Sequence, residues 1–67
     1  MKMGSTNSYI IQVGEHYVQK EKDGRYELVG DIHRATHFNW QQSKNAGVYL
    51  KATYPRQHVR RLLNKKS

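Results

Sequence analysis

His33 and His37 stand four residues apart, a spacing that brings two imidazoles onto one face of a helix. Such a pair binds zinc when a third and fourth ligand arrive, and His16, His58 or Asp31 is available to supply them. Where a His-Glu-x-x-His metallohydrolase carries its glutamate, this chain has Arg34. A cation beside the pair also opposes a metal ion, so the reading is two solvent-facing histidines, with no metal site and no cofactor. Ser43 and His37 can be written as nucleophile and base, yet nothing orients the base and no oxyanion-hole glycine pattern follows. Glu15, Glu21, Asp23 and Glu27 fall in turns or on a hairpin surface, where they stay solvated rather than poised in a dry cleft. No residue is assigned a catalytic role, and the expected function is binding, not catalysis.

The basic residues carry the stronger signal. Up to His33, Lys2, Lys20, Lys22 and Arg25 stand against Glu15, Glu21, Asp23, Glu27 and Asp31, a net charge of −1. From Arg34 onward come Arg34, Lys44, Lys51, Arg56, Arg60, Arg61, Lys65 and Lys66 with no acid at all, a net charge of +8. A basic half beside a near-neutral half points to a polarised surface and a polyanionic partner, against the plainer alternative that the charge serves solubility. Trp40, Tyr49 and Tyr54 are interleaved with these cations; cations pair with phosphates and planar rings stack on bases. With one Trp and one Phe in the chain, Trp40 and Phe38 are expected in the core, and Tyr17 and Tyr54 as exposed contacts. The candidate binding set is Arg34, Lys44, Lys51, Tyr54, Arg56, Arg60, Arg61, Lys65 and Lys66. No zinc finger, ribonucleoprotein motif or Gly-x-x-Gly loop is present, so the expected recognition is electrostatic rather than base-reading.

The elements that position these residues must come from a short chain. Its 67 residues, 36% of them apolar, make one small domain with a thin core. That is too little to build and dry a deep two-lobed active site. The absence of cysteine removes disulfides and thiolate chemistry. No apolar run is long enough to span a bilayer, and residues 1–8 are polar with no signal-peptide core, so a cytoplasmic protein with no membrane contact is expected. Residues 1–8 read as a lead-in, 9–63 as one α+β domain and 64–67 as a basic tail.

Tyr9 to Val13, His16 to Lys20 and Arg25 to Val29 are rich in β-branched and aromatic residues and are separated by Gly14-Glu15 and Asp23-Gly24. They predict a three-stranded antiparallel meander. Alternation buries Tyr9, Ile11 and Val13 with Val18, Tyr26 and Leu28, and turns Tyr17 to the other face. Three strands alone are marginal, so one or two helices must cover them. Asp31 is a good N-cap for a two-turn helix carrying Ile32, Ala35 and Phe38. Asn39 with Gln42 forms a capping-box pattern opening a second helix at Trp40. Two versions of the rest compete. In one, Gly47 ends the helix, 48–53 is a fourth strand and Pro55 opens a final helix; the β-branched and aromatic content of 48–53 tips propensity toward it. In the other, the helix runs to about Thr53, with Trp40, Gly47, Leu50 and Tyr54 along one stripe, and His58 to Leu63 is the last strand. As a strand, that segment would point Arg60 and Arg61 to opposite faces and leave only one of them in a cationic patch.

The order of a Tyr-rich hairpin, then Asp31, Ile32, Ala35 and Phe38, then a capped helix resembles small accessory proteins of phages and prophages of low-GC Gram-positive bacteria. The resemblance covers roughly residues 9–45. It implies a continuation by helix and closing strand, and an accessory role: action on nucleic acid or a nucleoprotein, or inhibition of a host defence protein in the manner of anti-CRISPR proteins. It carries over no active site. A thin core also leaves apolar surface that a homodimer would bury, and the strand Tyr9 to Val13 is a candidate edge for augmenting a partner sheet.

Overall fold

Tyr9-Ile10-Ile11 and its neighbours favour extended backbone. In the computed structural model, which describes residues 8–64, they lie in the first strand, β1 (Ser8–Val13). Gly14 at φ 61° turns the chain into β2 (His16–Lys20), and Gly24 at φ 92° lies in the turn before β3 (Tyr26–Val29). Both angles are left-handed and favour glycine; at Gly14 a Cβ would also collide with Gln57 Oε1. After a 3-10 turn over Ile32–Arg34 comes one helix, α1 (Trp40–Thr53), and then a fourth strand, β4 (Val59–Asn64). The sheet is antiparallel in the order β3-β2-β1-β4. The fold is thus the expected α+β class, and of the two versions of the C-terminal half the chain adopts the long helix and closing strand.

Several expectations are corrected. The segment 48–53 is helical, and Pro55 lies in a turn rather than opening a helix. Helix wins there because Ala46, Gly47 and Leu50 are buried beneath α1, whereas the strand-favouring Val48 and Tyr49 stay 67% and 55% exposed. Propensity differences of a few tenths of a kcal/mol do not outweigh that packing. The two-turn helix expected after Asp31 shrinks to the 3-10 turn, although Asp31 does cap it by accepting from the His33 N–H at 2.9 Å. β1 is no edge: β4 pairs with it at six positions, from Ser8↔Asn64 to Val13↔Val59. Ser8 and Asn64, read as lead-in and tail, therefore belong to the sheet. Residues 1–7 and 65–67 lie outside the described residues.

Directly opposed residues in neighbouring strands share a face. The register puts Ile11, Val13, Val18, Leu28, Val59 and Arg61 on the side of α1, and Ile10, Gln12, Tyr17, Val29, Arg60 and Leu62 on the reverse. The core is Ile11, Val13, Val18, Phe38, Ala46 and Leu50, with Tyr26, Leu28, Tyr54 and Val59 packed against it. Trp40 is not part of it and is 52% exposed.

The chain reaches both faces by passing through the sheet. β1 and β2 pair only at Gln12↔Tyr17 and Val13↔His16, next to their turn. Beyond that they part, and residues 36–38 fill the gap. The Thr36 N–H donates to Val18 O at 3.0 Å, and the Lys20 N–H donates to Thr36 Oγ1 at 2.7 Å. On the other side Tyr9 and Phe38 exchange backbone hydrogen bonds of 2.7 and 2.8 Å. The 3-10 turn lies against the reverse face beside Ile10 and Leu62, whereas Phe38 emerges into the core under α1. Asn39 then caps α1 at once: its Oδ1 accepts from the Gln42 N–H at 2.7 Å and Gln42 Oε1 accepts from the Asn39 N–H at 3.1 Å.

Phe38 therefore fills the core and fixes the crossing. Phe38→Ala should cost about 3–5 kcal/mol, a large share of what a domain of this size has. Urea unfolding followed by circular dichroism should show the transition lost or shifted to very low denaturant, with Phe38→Leu falling between it and the parent.

Candidate functional site

Helical spacing places Trp40, Lys44, Gly47, Val48 and Lys51 along the flank of α1 that looks toward β4. β4 meets this flank with Val59 and Arg61, the latter on the side of α1 because it pairs with Ile11. Between helix and strand lies an open cleft of about 140 Å³ lined by Lys44, Gly47, Val48, Lys51, Val59 and Arg61. Gly47 gives the cleft its floor. Arg61 Cδ passes 3.9 Å from where a Cβ on Gly47 would stand, so the guanidinium stem lies across the helix at its narrowest point. All three cations are exposed, and among the described residues none of them is paired with a carboxylate. Lys44 Nζ also sits 5.2 Å from the centre of the Trp40 ring, a cation–π contact worth about 0.5–1 kcal/mol at an exposed position.

Three of the five acids gather elsewhere. Glu21, Asp23 and Glu27 lie in and beside the β2–β3 turn, at the sheet edge opposite β4. Asp23 is bridged there by Arg25 at 2.7 Å. The Glu21 carboxyl is held above its ordinary value by a hydrogen bond with Glu27 and by the charge of Glu27.

Of the candidate binding residues, Lys44, Lys51 and Arg61 converge. Arg60 lies on the reverse face opposite Gln12, so β4 splits the Arg60–Arg61 pair as strand geometry requires. Arg34 sits in the 3-10 turn, and Arg56 in the turn between α1 and β4, exposed but outside the cleft lining. Tyr54 is half-buried against the core rather than an open contact. Lys65 and Lys66 lie outside the described residues. Trp40, expected in the core from its size, stands exposed at the start of α1 beside Lys44. The signal that could have found it was its i, i+4 relation to Lys44 on a stripe displaced from the buried Ser43, Ala46 and Leu50.

The reverse face offers a different surface. Ile10, Ile32, His33, His37, Leu62 and Leu63 line a groove of about 360 Å³. His33 and His37 share it without sharing a helix, and no group of three His, Cys, Asp or Glu is placed to hold a metal ion among the described residues. Ser43 is fully buried, its hydroxyl donating to Trp40 O at 2.8 Å. No helix among the described residues is long and apolar enough to cross a membrane.

A methyl group on Gly47 would meet Arg61 at ordinary contact distance, and glycine inside a helix costs about 0.5–1 kcal/mol relative to alanine. Gly47→Ala should therefore raise stability by about that amount in urea unfolding. A loss of stability would mean that Arg61 needs the bare backbone beneath it. No family model matches this chain, and no curated protein or solved structure matches it either.

Proposed function

We propose that the protein is a non-catalytic binder of nucleic acid, bare or within a nucleoprotein, that engages phosphates through the α1–β4 face. The observation that carries this reading is the convergence of Lys44, Lys51 and Arg61 on one open cleft with no carboxylate beside them. Three donors of positive charge around a shallow concavity suit a phosphate group, which needs charge and hydrogen-bond donors but no desolvated pocket. The open cleft also suits a ligand that runs past it, as a polymer backbone does. An accessory role of the phage type, as the Asp31–Phe38 resemblance implies, is compatible with a small module that docks by charge and performs no reaction.

The test is a salt series. Three phosphate contacts give a slope of log affinity against log salt of about −2 for single strands and about −3 for duplex. Lys51→Ala should flatten the slope by roughly one contact. Val48→Glu, at a position 67% exposed on the cleft wall, should leave unfolding unchanged and weaken binding about ten-fold or more, because it places a carboxylate among the cations. Binding that is absent at low salt, or indifferent to Val48→Glu, would overturn the proposal.

A further inference from the structure

We infer that the site prefers single-stranded nucleic acid, with Trp40 as the platform on which one base stacks. The inference rests on the reading of the Lys44–Lys51–Arg61 cleft as a phosphate site and adds to it the form of nucleic acid bound. A folded domain with a thin core ordinarily buries its single tryptophan. Here the indole stands at the first position of α1, 52% exposed, outside the core cluster. It is held next to the cleft by Lys44, whose ammonium is 5.2 Å from the ring centre and which also lines the cleft. Trp40 precedes Lys44 by one turn and Lys51 by three, about 6 Å and about 16 Å along the axis at 1.5 Å per residue. A phosphate held by Lys44 thus has the half-exposed Trp40 ring within one nucleotide's reach.

A duplex cannot use that surface, because its bases are stacked on one another and turned inward. An unpaired strand can, since every base offers a π-face and aromatic stacking tolerates any sequence. This fits a site with cations and a ring but no base-reading motif. Tyr49, the other exposed ring on α1, is not a second platform: it packs on Tyr26 with centroids 5.4 Å apart on the flank away from the cleft.

Trp40 is the chain's one tryptophan, so its fluorescence reports this site alone. The probes are a short oligothymidylate and a mixed-sequence duplex of equal length, titrated into the full chain at low salt. The expected result is quenching of Trp40 by the oligothymidylate and little change with the duplex. By anisotropy of labelled probes, Trp40→Ala should weaken the single strand about ten-fold or more while changing duplex affinity less than two- to three-fold. Trp40→Phe should restore most of the lost affinity, and circular dichroism should show both variants folded. If both probes bind the parent but Trp40 fluorescence is unmoved and Trp40→Ala is neutral, the phosphate reading stands and the stacking inference is overturned. If neither probe binds at low salt, the phosphate reading itself falls.

Discussion

The hydrogen bonds that Thr36 and Phe38 make into the gap between β1 and β2 govern the rest of the fold. Where the two strands part, their inward-facing N–H and C=O groups would be left without partners, at a cost of about 1–3 kcal/mol for each buried group. Residues 36–38 satisfy them from both sides, through Thr36 to Val18 and Lys20 and through Phe38 to Tyr9. Because the chain passes through at this point, Phe38 enters the core and Asn39 starts α1 on the opposite face from the 3-10 turn. With α1 laid over β1, the turn at 54–58 brings β4 back alongside β1, and Arg61 comes to rest beside Gly47. The cationic cleft thus follows from how the opened hairpin is filled.

The same topology separates the charges. β3 and β4 are the two edges of a four-stranded sheet, about 14 Å apart at the usual inter-strand spacing and farther where residues 36–38 part β1 from β2. That exceeds the Debye length of about 8 Å at physiological ionic strength. Glu21, Asp23 and Glu27 near one edge therefore do little to neutralise Lys44, Lys51 and Arg61 near the other. The formal +7 of the chain is unevenly spread, with a mixed, internally paired β2–β3 turn and three converging cations at the α1–β4 cleft.

Much of this was legible in the sequence because it depends on local rules. Gly14 and Gly24 marked the turns, the alternation of Ile11, Val13 and Val18 marked the buried face, and Asn39 with Gln42 marked the start of α1. What was not legible depends on long-range pairing. The buried stripe of α1 is Ser43, Ala46, Gly47 and Leu50, small and only partly apolar, while the larger Val48 and Tyr49 stay exposed; the helical period is therefore faint, and the β-branched and aromatic content of 48–53 tips propensity toward a strand. In β4 the adjacent Leu62 and Leu63 blur the two-residue alternation. No spacing rule announces that Phe38 will cross a sheet, since the gap it fills lies between residues 18–29 positions earlier. Of the candidate site, Lys44, Lys51 and Arg61 were among the residues chosen, but so were Arg34, Arg56 and Arg60, because charge composition cannot sort cations by face. Trp40 was missed because size and hydrophobicity argue for burial unless the stripe it belongs to is known.

The central claim is that nucleic acid lies on the α1–β4 face. The most direct test is an amide chemical-shift map of the isotopically labelled protein titrated with a short single-stranded oligonucleotide at low salt. Binding at this face requires the largest shifts at residues 40–51 of α1 and 59–63 of β4, with the β2–β3 turn at 21–25 unmoved. Shifts centred instead on Ile10, Ile32 and His33 on the reverse face, or on the β3 edge, would contradict it.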